Sequence, residues 1–169
     1  MALLEVYDQA LPRVYGYLLA RVGDPPLAED LTAETFLAAV TAARRDQVSV
    51  STPWLIGVAR HKLADHWRRL ARDRDRAEDL AADLATGSTG AAEDPWEVCL
   101  DALLARDTLA RLGPHHRAAL TLRYLDGLPV AEVAEHLGRT VHATEALLVR
   151  ARAAFRRHYP GEPQEGRRP

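Results

Sequence analysis

The chain has 169 residues, 47% of them hydrophobic, which is enough for one ordinary domain or two small ones with cores of their own. Its formal charge of −2 gives no whole-chain pull toward polyanions, and its lone cysteine, Cys99, excludes an internal disulfide or a thiol metal cluster. The opening MALLEVYDQALPRVYGYLL has no basic leader and no apolar run approaches membrane-spanning length, so a soluble, cytoplasmic protein without membrane contact is expected.

Ala, Leu and Arg dominate and aromatics are only 6%, a composition that favours helices. Leu4, Leu11, Val14 and Leu18 fall on one helical stripe beside Tyr7 and Tyr15, and this first helix is expected to stop at Val22-Gly23. Asp24-Pro25 reads as an N-cap followed by proline at the first helical position, opening a second helix to about Ala43. ARRDQVSVST is a polar loop. Thr52-Pro53 repeats the cap-then-proline start of a third helix, which runs to about Arg72 with Ile56, Ala59, Leu63, Trp67 and Leu70 inward.

From Asp73 to about Asp94 the periodicity dissolves, and ATGSTGAAEDP reads as a flexible acidic linker. A second block starts near Pro95-Trp96, with Leu100, Leu103, Leu104 and Leu109 supporting a helix that Gly113-Pro114 breaks. A helix from His115 to Leu125 buries Ala118, Leu122 and Leu125. Asp126-Gly127 is a turn, and Val130, Val133, Ala134 and Leu137 make a short amphipathic helix closed by Gly138. Val141, Thr144, Leu148, Ala151 and Phe155 then recur at three- and four-residue steps, and the tail from Pro160 is expected to be disordered. The fold class is therefore all-α: two small helical domains, over residues 1–74 and 96–159, with a linker over 75–95 and a tail over 160–169.

The charge is unevenly spread. Residues 60–76 hold seven Arg/Lys against three acids, residues 78–101 hold seven acids and no Arg or Lys, and residues 139–157 hold five Arg against Glu145. Two basic helices thus flank an acidic connector, and a balanced total can hide two separate anion-binding faces. In the second block, a short helix, a turn at Gly138-Arg139-Thr140 and a longer helix make a helix-turn-helix pattern, whose second helix enters the major groove N-terminal end first. Thr140 is placed to cap that helix, and Arg150, Arg152, Arg156 and Arg157 to neutralise phosphates. Outward residues are His142, Ala143, Glu145, Ala146, Val149, Arg150 and Arg152. The same pattern also describes an ordinary bundle helix with cations at its C-terminal end.

In the first block, TPWLIGVARHKLADHWRR interleaves Trp54 and Trp67 with Arg60, His61, Lys62, His66, Arg68 and Arg69, a mixture suited to unpaired bases. Trp67 reads better as core. Asp30 and Glu34 stand at i, i+4, a like-charge spacing that a basic partner surface would relieve. A hydrolase or metal enzyme is disfavoured: His61 and His66 do not share a face well, His115 and His116 point to different faces, and there is no HExxH, P-loop or GxSxG.

AEDLTAETFLAAV, STPWLIGVARHKLADHWRR, LGPHHRAALTLRYLDGLPVAEVAEHLG and the RAR of LLVRARAAFR, in this order, resemble the extracytoplasmic-function group of bacterial sigma factors, over about Val6 to Tyr159. The resemblance implies a non-enzymatic subunit without cofactors that binds core RNA polymerase and recognises and opens promoters. Region 2 would bind the β′ clamp helices and open the −10 element; region 4 would bind the β-flap and read the −35 element. The linker would run toward the polymerase cleft and RNA exit channel, and an anti-sigma protein is the candidate restraint. A stand-alone helix-turn-helix regulator is the alternative.

Carried over by position, the resemblance puts Asp30, Leu31 and Glu34 in the polymerase-binding part of region 2. The loop of residues 44–52, with Ser49 and Ser51, matches the segment that captures a flipped −10 base. Trp54, Arg60, His61, Lys62, Asp65, Arg68 and Arg69 match the −10 reading helix, with His61 where family members commonly have Asn. The −35 reader spans Arg139 to Arg152, with Arg139, Thr140, His142, Ala143, Glu145, Ala146, Val149, Arg150 and Arg152 as contacts.

The reader departs from the common pattern. Glu145, Ala146 and Leu147 stand where a Lys-Ser-Arg-like set is frequent, and Pro129 stands where a Ser commonly caps the first helix of the motif. Glu145 is suited to accept from a cytosine amino group, and Ala146 or Leu147 to meet a thymine methyl. With fewer donors there, isolated region 4 is expected to bind promoter DNA weakly.

Overall fold

A computed structural model describes residues 2–45, 49–78 and 102–159, and among these residues every regular element is helical. The chain divides into two compact units, residues 1–75 and 76–169. No helix among the described residues is long and apolar enough to cross a membrane.

The first unit holds α1 (Ala2–Val22), α2 (Pro25–Arg44) and α3 (Thr52–Glu78). Val14, Leu18 and Val22 of α1, Ala28, Leu31 and Ala39 of α2, and Leu55, Ala59, Leu63, Ala64, Trp67 and Ala71 of α3 form its core. Each fully buried Leu contributes about 1.5–3 kcal/mol over leaving it in water. Helix α1 runs through Pro12, whose ring removes one backbone donor. It ends where Gly23 takes φ +69°, a left-handed conformation that side-chain-bearing residues rarely adopt. The Asp24 carboxylate then accepts from the Leu27 amide at 3.3 Å, the expected cap, with Pro25 beginning α2.

Helix α3 departs from expectation in three ways. Its cap is Ser51 rather than Thr52: the Ser51 carbonyl accepts from the Leu55 amide at 2.9 Å, and the Ser51 hydroxyl lies 3.4 Å from the Trp54 amide. Its inward row passes through Leu55 and Ala71, whereas Ile56 is only half-buried and Leu70 is 44% exposed. And it continues to Glu78, past Arg72 and into the first residues assigned to the linker, because RDRDRAE holds no Gly or Pro to stop it and sets opposite charges three apart in sequence.

The second unit holds α4 (Ala102–Arg111), α5 (Pro114–Leu120), a π-helical turn (Thr121–Leu125), α6 (Val130–Leu137) and α7 (Val141–His158). Helix α7 packs chiefly on α5 and α6, and Ala118, Ala119, Leu122, Val133, Thr144, Leu148, Ala151 and Phe155 fill the core. The π turn closes with the Asp126 amide donating to the Thr121 carbonyl at 3.0 Å. Its wider turn shifts the register after Leu122, so Leu125, expected inward, is 50% exposed while Leu122 stays fully buried. Gly127 takes φ +67° in the expected turn. The proposed start of α4 at Pro95-Trp96, Cys99, Leu100, most of the linker and the tail lie outside the described residues.

Candidate nucleic-acid interface

The junction of α6 and α7 is built from local chemistry. Gly138 has φ +62°, and behind it the Gly138 amide donates to Glu135 and the Arg139 amide to Ala134, at 3.1 and 2.9 Å, which ends α6 in a Schellman motif. One residue later the Thr140 hydroxyl accepts from the Ala143 amide at 3.1 Å and caps α7 as the sequence suggests. Pro129, at the N-cap of α6, takes φ −64° and makes no side-chain cap bond. Helix, turn and helix therefore meet with fixed backbone on both sides of Arg139.

Thr144, Leu147, Leu148, Ala151, Ala154 and Phe155 turn the inner face of α7 into the core. His142, Glu145, Ala146 and Arg150 are exposed and follow one another around the outer face, with Ala143 and Val149 half-buried at its edges. Leu147 corrects the sequence reading: at 3% exposure it packs inside and does not meet a thymine methyl. Val141, expected inward, is 46% exposed because it lies at the first helical position, ahead of the turn that docks on the core. Arg152 is half-buried and donates to the Tyr124 hydroxyl at 2.9 Å, which draws it toward the π turn. Arg139 Nη2 lies 3.1 Å from His115 Nδ1 on α5. Burial lowers the pKa of Arg117, also on α5, though a guanidinium stays charged at any physiological pH.

In the first unit, Trp54, His61, Asp65, Arg68 and Arg72 recur along α3 at seven-, four-, three- and four-residue steps, one stripe opposite the buried row. Trp54 is half-buried, His61 and Arg69 are exposed, and Asp65 pairs with Arg68. Trp67 is 3% exposed, a core residue as its spacing suggests. Arg60 lies off the stripe, toward the buried side, and is half-buried. Ser49 and Ser51 are exposed in the loop before α3, and residues 46–48 of that loop lie outside the described set.

On α2, Asp30, Glu34, Leu37 and Thr41 follow at four-, three- and four-residue steps and share one outward stripe. Leu31 is not on it. At 2% exposure it packs in the core, where its carbonyl accepts from the Thr35 hydroxyl at 2.7 Å, so its contribution is to seat α2 rather than to touch a partner. Leu37, which the sequence reading passed over, is 67% exposed. It lines an open cavity of about 400 Å³ with Glu34, Thr41, Arg45 and Lys62, and Lys62 Nζ lies 3.5 Å from Glu34 Oε2. The signal for Leu37 was present in its register with Asp30 and Glu34. No group of acidic, His or Cys side chains among the described residues is arranged to hold a metal ion.

Residues 6–73 match the family described as Sigma-70 region 2, and residues 102–155 match Sigma-70, region 4. The chain is 35% identical over 165 residues to the ECF RNA polymerase sigma factor BldN of Streptomyces coelicolor, covering 93% of this chain and 60% of that protein's length. It is 34% identical over 156 residues to the ECF RNA polymerase sigma factor SigC of Mycobacterium tuberculosis, covering 90% of this chain and 80% of the relative. Its fold is similar to that of the sigma factor RpoE crystallised with the anti-sigma factor NepR from Bartonella quintana, with a TM-score of 0.55 at 19% identity over 93% of this chain and 96% of that one. The region 2 match accounts for the basic-aromatic unit that a stand-alone helix-turn-helix regulator leaves unexplained. With both regions matched in order, and with relatives above 30% identity across most of the sequence, the chain belongs to the ECF group of RNA polymerase sigma factors.

Proposed function

We propose that the chain directs core RNA polymerase to a particular set of promoters. The outward stripe of α2, with Asp30, Glu34 and the adjoining Leu37, meets the β′ clamp helices. Ser49, Ser51, Trp54, His61, Lys62, Asp65, Arg68 and Arg69 engage the unpaired −10 strand, with Arg60 supporting from the half-buried side. Stacking on Trp54 and neutralisation by the arginines supply affinity with little base preference.

The second unit positions the −35 duplex through phosphates at Arg139, Thr140, Arg150 and Arg152. It reads base edges through His142, Ala143, Glu145, Ala146 and Val149. Bond formation belongs to the polymerase, and the chain itself performs no chemistry and needs no cofactor. Its place of action is the cytoplasm, and an anti-sigma protein is the expected restraint.

The observation that carries this reading is the pairing in one chain of an acidic-apolar stripe on α2, a basic-aromatic stripe on α3 and a capped helix-turn-helix. Mixing the purified chain with core polymerase tests it. Co-elution as holoenzyme and a run-off transcript that depends on a promoter are expected. Failure to bind core sinks the reading.

A further inference from the structure

We infer that His115 is a positioning residue for promoter recognition: from α5 it holds the guanidinium of Arg139 at the entrance of α7. The inference rests on the assignment of α7 as the −35 reader and adds a residue that lies outside the helix-turn-helix.

The geometry isolates one degree of freedom. The backbone before Arg139 is pinned by the left-handed Gly138 and by the Arg139 amide, which donates to Ala134 at 2.9 Å. The backbone after it is pinned by the Thr140 cap on Ala143 at 3.1 Å. What these bonds leave loose is the Arg139 side chain, one of the two most rotamer-rich in proteins. His115, 24 residues earlier in sequence, removes that freedom: Arg139 Nη2 lies 3.1 Å from its Nδ1 and 3.5 Å from its Nε2 in a partly buried contact. Within reach of both nitrogens of one ring, Nη2 lies over the face of the imidazole rather than along the in-plane lone pair of either, so the ring holds the guanidinium by stacking.

This contact engages one nitrogen, Nη2, of a five-donor fork. Nε and Nη1 lie outside it and retain the capacity to meet a phosphate at the rim of the groove. A side chain ordered in the free protein loses less entropy on binding, so His115 raises affinity without touching DNA. With Arg139 assigned to a phosphate rather than to a base edge, the gain is the same for every sequence that α7 accepts.

The test uses holoenzyme assembled from core polymerase and the full chain. A pool of promoter fragments randomised at the −35 element is first selected with the wild-type holoenzyme, and the selected fragment becomes the probe. His115→Ala is expected to weaken binding about three- to tenfold with the slope of log K against log salt unchanged, since the arginine charge is still there. Arg139→Ala is expected to lower that slope by about one. His115→Phe, whose ring restores a face for the guanidinium, is expected to recover most of the loss.

In the Arg139→Ala background, His115→Ala is expected to add nothing, because the pair acts as a unit. Wild-type binding by His115→Ala, the same loss in the Arg139→Ala background, or no rescue by Phe overturns the inference and leaves the sigma-factor reading standing. A wild-type chain that forms no holoenzyme, or selects no −35 sequence, overturns that reading and the inference with it.

Discussion

Lys62 Nζ of α3 lies 3.5 Å from Glu34 Oε2 of α2, so a residue proposed to face DNA and one proposed to face polymerase neutralise each other within one unit. Their side chains are 33% and 44% exposed, which screens the pair and limits its worth to well under about 1 kcal/mol. The carboxylate and the amine therefore remain available to outside partners at small cost.

Glu34→Gln is expected to leave the midpoint of thermal unfolding within about 2 °C while weakening core binding several-fold, because the stability and the interface draw on the residue separately. Circular dichroism and a core-binding titration on the same preparation check this. A matched fall in both would mean that Glu34 is structural.

Leu147 and Glu145 are two residues apart on α7 but face opposite ways, at 3% exposure and exposed, respectively. Leu147→Arg is expected to destabilise the second unit by at least about 3 kcal/mol, since a guanidinium placed there is buried without a partner. Glu145→Arg is expected to change stability by less than about 0.5 kcal/mol. It is also expected to raise sequence-independent DNA affinity and steepen the salt slope by about one. Chemical denaturation and salt-dependent binding of the two variants separate the faces.

The Thr140 cap predicts its own energetics. Thr140→Ala leaves the Ala143 amide without its side-chain acceptor and is expected to cost about 1 kcal/mol, a fall of about 4–8 °C for a unit of this size. Thr140→Ser is expected to restore most of it. Equal losses for both variants would show that the methyl group, not the hydroxyl, matters.

The exposed face of α7 has few donors in its first turns, where Ala143, Glu145 and Ala146 follow His142. Residues 96–159 alone are therefore expected to bind a −35 duplex weakly at about 150 mM salt, with affinity recovered when the full chain is carried by core polymerase. Fluorescence anisotropy on the fragment checks this, and tight sequence-specific binding by the fragment would contradict it.

Much of this protein was legible in its sequence because much of it is local. Asp24-Pro25, Gly138 and Thr140 act through hydrogen bonds to residues three to five positions away, and a linear reading finds them. The buried rows through Val14 and Leu18, and through Ala59, Leu63 and Trp67, follow from helical period alone. Even the Ser51 cap missed its expected place, Thr52, by a single residue, the tolerance inherent in helix ends.

What the sequence could not supply is which of two plausible neighbours turns inward, and what lies across from a side chain. Leu31 and Leu147 sit one and two residues from exposed acids, and only the packing of α2 and α7 against their units buried them. Leu125 faces outward because a π turn, set by the backbone of Thr121 to Asp126, rotates everything after it. The pairs Glu34–Lys62, Tyr124–Arg152 and His115–Arg139 each span 24 residues or more. Periodicity reports one helix at a time, whereas these contacts depend on how helices cross, and the crossing is decided by the shapes of the buried side chains acting together.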